Sequence, residues 1–148
     1  MRAYFHLREI PKAMGLCVLI LGMLCSATAR GTDIQLGQPF DVRLGEAAVL
    51  KTGKLTIRFD AVGKDSRCPK GATCVWAGNG SVHLSVSQAV LPPSTVTLNT
   101  LGGSRFPSRA HVFGYLLKLL DLKPYPTLAR PQIRADFVAT LIVEIDPG

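Results

Sequence analysis

Two cysteines, Cys68 and Cys74, lie six residues apart in a stretch that has neither a helical nor a strand period. Thiols at this spacing form a disulfide in an oxidising compartment, whereas in a reducing one they serve as metal ligands or as a redox couple. The ring closes only if the chain turns back on itself, because six extended residues hold the sulfurs too far apart. Pro69 and Gly71 supply that turn. The chemistry of the pair therefore depends on where the protein works.

The first 29 residues have the pattern of an export signal. A basic start precedes an apolar run from Gly15 to Leu24, and Ala27-Thr28-Ala29 supplies the small residues that a signal peptidase recognises. This run is much shorter than the roughly 20 residues of a membrane-spanning helix. The sequence therefore predicts a signal peptide over residues 1–29 and a single domain over residues 30–148, either periplasmic or secreted. Cys68 and Cys74 are then expected to form a disulfide with each other.

Cys25 opens a second interpretation of the signal, in which this cysteine carries a lipid. Met23 and Leu24 precede it and are larger than lipoprotein processing usually accepts, so we expect membrane contact only if Cys25 is lipidated. The formal net charge is +7, and it falls to about +5 when three basic residues and Glu9 leave with the signal. In an exported chain this charge favours an envelope protein or an anionic envelope polymer over nucleic acid. The basic residues are scattered and form no run. The alternative is that the charge only keeps the domain soluble.

No arrangement of catalytic residues stands out beyond the signal. His83 lies in an alternating segment and His111 at the mouth of a loop, and neither is paired with a Ser or Asp in a recognised setting. The segment Ala77-Gly78-Asn79-Gly80 is neither a nucleophile elbow nor a phosphate loop. One Cys pair is half a zinc site, and a Cys-x5-Cys ring lacks the helix start that activates thiols in redox enzymes. We therefore expect no enzyme, no metal site and no cofactor.

Alternation of apolar and polar residues dominates the rest of the chain, as is typical of strands with one solvated face. The segments that alternate are 40–44, 47–49, 55–61, 81–87, 95–99 and 137–145. The last segment is apolar on much of its second face too, which is typical of a central strand. We predict an all-β fold, an antiparallel β-sandwich or a partly open barrel of six to seven strands, with one short disulfide-stapled loop.

Residues 111–122 are ambiguous, since their leucines fit both a helical and a strand period. The aromatic residues at their start and the neighbouring strands favour a strand over 111–120 in a domain without a long helix. Residues 102–109 are predicted to be a loop. Residues 123–135 are predicted to be a long crossing loop, because Pro124-Tyr125-Pro126 and Pro131 oppose regular pairing.

The stapled loop, residues 65–78, admits two interpretations. In one it is a packed corner, with Arg67 paired to Asp65 or to a nearby carbonyl and with Trp76 buried over the disulfide. In the other it is an interaction loop formed by Asp65, Arg67, Lys70 and Trp76, and it presents Arg67, Lys70 and part of the Trp76 ring to a partner.

The residues Asp65-Ser66-Arg67-Cys68-Pro69, followed by Cys74-x-Trp76-Ala77-Gly78 and later by Pro124-Tyr125-Pro126, resemble a group of small exported bacterial proteins and lipoproteins that are mostly described as hypothetical. The resemblance spans residues 40–143 and implies export and a compact domain, but no activity. We therefore predict a non-catalytic binding or accessory protein of the cell envelope. The alternative is a β-sandwich protease inhibitor whose rigid stapled loop occupies an enzyme cleft. A metal-binding or redox protein is a more distant third hypothesis.

Overall fold

The computed structural model describes residues 31–129 and 136–146. The predicted signal peptide, its cleavage site and residues 130–135 of the predicted crossing loop lie outside the described residues. Nine strands and no helix are found in the described ranges. They are β1 (Thr32–Asp33), β2 (Phe40–Arg43), β3 (Ala47–Leu50), β4 (Leu55–Asp65), β5 (Gly80–Gln88), β6 (Ser94–Asn99), β7 (Arg109–Val112), β8 (Tyr115–Lys123) and β9 (Val138–Ile145).

The strands form two packed sheets that do not close into a barrel. Sheet A has the order β1-β3-β4-β5-β6 and sheet B the order β2-β9-β8-β7. All neighbouring strands are antiparallel except β1, which runs parallel to β3. The chain passes from sheet B to sheet A between β2 and β3 at Gly45, which has a φ of +86°. The predicted all-β sandwich is confirmed.

The alternating segments bury the faces that their period predicts. In β4 the side chains of Leu55, Ile57 and Phe59 are buried, and β5 buries every second residue from Val82 to Val86. They pack against buried side chains of sheet B such as Leu141 in β9. The central position predicted for β9 is confirmed, since this strand lies between β2 and β8.

The strand predicted over residues 111–120 is two strands. β7 and β8 form a hairpin in which Val112 pairs with Tyr115, and the two residues of its turn, Phe113 and Gly114, have φ values of 52° and 75°. Positive φ at both central residues is the geometry of the tightest hairpin turns. The strand assignment is therefore confirmed and the single continuous strand is wrong. This hairpin and the two-residue β1 account for the strands in excess of the predicted six to seven.

Candidate functional site

The stapled loop is the end of the β4–β5 hairpin. Asp65 and Gly80 form the last strand pair. Beyond them the two legs stay connected, because the Ser66 amide donates to the Asn79 carbonyl at 2.7 Å and the Cys68 amide donates to the Ala77 carbonyl at 2.9 Å. The loop is therefore a continuation of two long strands and not a separate excursion of the chain.

The expected disulfide joins Cys68 and Cys74, whose Cα atoms are 6.0 Å apart. The turn inside the ring is the predicted one, since Gly71 has a φ of +87° and the Ala72 amide donates to the Pro69 carbonyl at 3.0 Å. Both sulfurs are used by this bond, so neither is a thiolate that could ligate zinc or copper.

Gly78 lets the two legs of the loop approach each other. Its φ is +72°, a conformation that side chains disfavour, and a Cβ at this position would lie 1.8 Å from the Ser66 carbonyl oxygen. No other residue type fits there without moving backbone. The glycine of the sequence motif thus has a structural role that the sequence alone did not indicate.

Arg67 points into the molecule. Its side chain is 4% exposed and that of Asp65 is 8% exposed. Two bonds join them, from Nη2 to Oδ2 at 2.7 Å and from Nε to Oδ1 at 2.9 Å. The guanidinium also donates to the carbonyls of Leu122, at the end of β8, and of Pro124. The predicted pairing of Arg67 with Asp65 and with nearby carbonyls is confirmed, whereas its presentation to a partner is wrong.

The segment after β8 packs beside the stapled loop. The Tyr125 ring centroid lies 5.0 Å from the Arg67 guanidinium carbon and 5.6 Å from the Lys70 ammonium nitrogen, distances at which cations are attracted to aromatic faces. The Lys70 amide donates to the Pro126 carbonyl at 2.9 Å, and Lys70 forms an isolated parallel bridge with Thr127. Residues 124–129 form no regular strand, as predicted, apart from this one bridge, and the rest of the predicted loop lies outside the described residues.

Val75 and Trp76 are two exposed apolar residues on the return leg of the loop, directly after the disulfide ring, and we call this pair the apex. Val75 is fully exposed and Trp76 is 55% exposed. The expected burial of Trp76 is therefore wrong. Leu128, also exposed, reaches within 3.9 Å of the position that a Cβ on Gly71 would occupy. The stapled loop thus combines a packed base, Asp65 and Arg67, with the exposed apolar pair of the apex.

The four candidate interaction residues therefore separate into two pairs. Asp65 and Arg67 belong to the interior, whereas Lys70 and Trp76 are exposed. Sequence reasoning missed Val75 as an exposed apolar neighbour of Trp76. The signal that could have found it is the absence of any strand period between Cys74 and Gly78, since an apolar residue outside the sheets has no assured place in the core.

A shallow cleft of about 230 Å³ lies between the stapled loop and the end of β8. Its lining combines the apolar side chains of Leu101 and Leu120 with Tyr125 and Asp121. Leu101 and Leu120 are 42% and 52% exposed. This cleft extends the exposed apolar surface along the side of the loop.

His83 and His111, the two histidines of the described residues, lie outside the stapled loop. His83 lies on β5, where its Nδ1 is 3.0 Å from Thr97 Oγ1 on β6. His111 lies within β7 and not in a loop, and its Nδ1 is 2.6 Å from an Asp146 carboxylate oxygen. The ring of His83 lies over Gly63, where an added Cβ would come within 2.7 Å of Nε2. The contacts of His83 are with neighbouring strands of sheet A, whereas Asp146 follows β9, which is separated from β7 by β8. Within the described residues, neither set of contacts joins a nucleophile, a base and an orienting group.

Residues 31–129 and 136–146 contain no group of three or more His, Cys, Asp or Glu side chains placed to hold a metal ion. Over the same ranges, no helix is long and apolar enough to cross a membrane. No family model, curated protein or solved structure significantly matches the chain.

Proposed function

We propose that this protein is a non-catalytic binding or accessory domain of the cell envelope and that it binds a partner protein through the apex. The observation that carries the proposal is the position of Trp76, which is 55% exposed and lies between the disulfide and the hydrogen bond that joins Cys68 to Ala77. Exposed aromatic residues on well-ordered surfaces are over-represented among the residues that dominate binding energy in protein interfaces.

The base of the loop supports this role by fixing the apex before binding. The disulfide, the ion pair of Asp65 with Arg67, and the hydrogen bonds between the two legs all restrict the loop in the free protein. Binding then orders fewer groups, so a larger part of the interaction energy appears as affinity.

An envelope protein is a better partner for this surface than an anionic polymer. Val75 and Trp76 are uncharged, and the nearby Lys70 is directed at the Tyr125 ring. Apolar and aromatic groups at the centre with a few charges at the rim are the usual composition of a protein-binding surface. The export predicted from residues 1–29 and the disulfide are compatible with an oxidising compartment outside the cytoplasm.

Site-specific photo-crosslinking in the native envelope tests the proposal. A photoreactive residue replaces Val75 in one variant and Val90 in a second, because both valines are almost fully exposed and Val90 lies in the β5–β6 turn, away from the stapled loop. We expect one protein adduct, identified by mass spectrometry, from position 75 and not from position 90. This adduct should disappear when Trp76→Ala is added. Identical adducts from both positions, or an adduct that survives Trp76→Ala, would reject the apex as the binding surface.

A protease inhibitor is the second candidate, favoured by the full exposure of Val75 within a stapled and hydrogen-bonded loop. A rigid protruding segment is what an enzyme cleft accepts. Inhibition of representative serine, cysteine and metalloproteases by the purified protein tests it. Inhibition that is lost on Val75→Asp and retained on Val90→Asp would favour this candidate, and the absence of inhibition in all three classes would exclude it for those classes.

A further inference from the structure

β6 differs from the other edge strands of the two sheets. Of the four edges in the described chain, β1 has two residues, β2 carries Asp41 and Arg43, and β7 is a four-residue strand with Arg109. Proteins protect sheet edges by such short or charged strands. β6 has six residues and none is charged. By length and charge it is therefore the least protected edge of the sandwich, and it does not include Val75 or Trp76.

The backbone of β6 offers hydrogen-bonding groups on its outer side. The Thr100 amide donates to Gly80 in the direction of β5, whereas the Asn99 amide donates away from β5, to the Pro107 carbonyl. Because amides alternate in direction along a strand, those of Thr95 and Thr97 also point away from β5. Within the described residues, no other strand pairs with this side of β6, and no loop bonds to the backbone of Thr95 or Thr97.

We propose that β6 pairs with β6 of a second copy of this protein, antiparallel and about a two-fold axis at Val96. Thr95 of one copy then lies opposite Thr97 of the other, and each such pair exchanges two backbone hydrogen bonds. The two sheets A become one continuous sheet. This is an isologous contact, in which the same surface serves both subunits and closes the assembly as a dimer.

The chemistry around β6 favours a second copy over a foreign peptide. A copy of β6 supplies the backbone donors and acceptors that Thr95 and Thr97 require, as any extended strand does, so the side chains decide between the two. Two exposed leucines, Leu91 and Leu101, flank Val96 at equal distances along the chain. The two-fold axis therefore directs Leu91 of each copy towards the end of the interface where Leu101 of the other lies. No charge on the strand opposes this pairing.

Sedimentation equilibrium of the purified protein, measured over a wide concentration range, tests the proposal with two double variants. Thr95→Lys/Thr97→Lys places like charges opposite each other across the proposed axis, whereas Thr95→Lys/Thr97→Glu places Lys opposite Glu. Both variants lose the contact between the Thr97 hydroxyl and His83, so a difference between the two variants cannot come from that loss. We expect the unaltered protein to change from the mass of one chain to that of two as concentration rises. The Lys/Lys variant should stay a monomer, and the Lys/Glu variant should dimerise more strongly at low salt than at high salt.

A single-chain mass at every concentration would overturn the proposal. Equal dimerisation of the Lys/Lys and Lys/Glu variants would also overturn it, because the dimer would then use another surface. Circular dichroism melting of both variants in dilute solution is expected to give the same midpoint, which shows that the substitutions act on association and not on folding. The outcome is independent of the apex, since neither variant alters Val75 or Trp76.

Discussion

The Arg67 side chain is positively charged and almost completely buried, and its hydrogen-bond partners explain why this burial is tolerated. Asp65 supplies the opposite charge, and the backbone carbonyls of Leu122 and Pro124 accept hydrogen bonds from Nη1 and Nη2. A buried pair of this kind is not strongly stabilising in itself, because desolvation offsets the attraction. Breaking it is costly, because the remaining partner stays buried with its charge uncompensated.

Arg67→Ala is therefore expected to lower the free energy of unfolding by about 3 to 5 kcal/mol, since it leaves Asp65 buried without its partner. Denaturant titration followed by circular dichroism measures this change. Lys70→Ala is the control, because that side chain is exposed and an exposed cation contributes about 1 kcal/mol or less. A loss of similar size in both variants would contradict the structural role assigned to Arg67.

Trp76→Ala is expected to change the free energy of unfolding by less than about 1 kcal/mol, because a half-exposed side chain leaves no large cavity when it is truncated. A buried tryptophan would cost about 3 to 5 kcal/mol. The same denaturant titration distinguishes the two values. A loss in the higher range would mean that the ring is packed in solution and would remove the basis for the apex as a binding surface.

At the scale of elements, the glycines and the disulfide of the stapled loop have separate tasks. Gly78 determines how closely the two legs lie, and the disulfide closes the ring beyond them. The amides of Ser66 and Cys68 donate hydrogen bonds across the loop, on legs that continue the β4–β5 pairing. These bonds therefore depend on the close approach at Gly78 and not on the disulfide.

Gly78→Ala is expected to destabilise the protein by more than about 2 kcal/mol, because the left-handed conformation alone costs about 1 to 2 kcal/mol and the new Cβ also meets the Ser66 carbonyl. Gly103→Ala is the matched control: its φ is +91°, and nothing lies within 4 Å of the added carbon. Thermal melting of both variants isolates the steric contribution. Equal shifts in midpoint would show that the legs are not closely packed at Gly78.

The double variant Cys68→Ser/Cys74→Ser is expected to stay folded, with stability lowered by roughly 2 kcal/mol, since the ring it opens is small. The free energy of unfolding of a protein is typically about 5 to 15 kcal/mol, so this loss should be survivable. Amide hydrogen exchange should rise within residues 69–76 and stay unchanged at Cys68 and in β4 and β5. Global unfolding of this variant would show that the disulfide, and not the sandwich core, holds the fold together.

The sequence contained most of the strands, because a period of two reports burial on one face directly. It did not reveal the β7–β8 turn, since Phe113 adopts a positive φ that its residue type disfavours and its apolar side chain continues the alternation. The stapled loop was located from Cys68 and Cys74. The burial of Arg67 and the exposure of Trp76 could not be predicted, because arginine is usually exposed and tryptophan usually buried. The carbonyls that hold the Arg67 side chain inside belong to Leu122 and Pro124, far along the chain.

At the scale of the whole molecule, the described residues form one sandwich with one continuous core. The single domain over residues 30–148 stays a prediction from the sequence. The predicted cleavage site lies outside the described residues, and it stays a prediction from the sequence.

The mature protein is expected to begin at Arg30, because Ala27 and Ala29 are the well-placed small residues after the apolar run. Intact-mass measurement of the protein recovered from its envelope tests this start site. Ala29→Leu should block cleavage and leave the longer chain, whereas a species that retains Cys25 with an added lipid mass would identify an anchored lipoprotein.

The pairing of β2 with β9 determines when the sandwich can form. Thr140 donates to the Asp41 carboxylate across 99 residues of sequence, whereas every strand of sheet A lies between residues 32 and 99. A chain that emerges with its N-terminus first can therefore assemble sheet A early, but β2 has no neighbour until β9 has followed. Until β9 pairs with β2, the face of sheet A that packs against sheet B in the native state stays partly exposed to solvent. For a chain that is exported as residues 1–29 predict, this order of assembly would keep the segment that is being threaded unfolded until late in translocation.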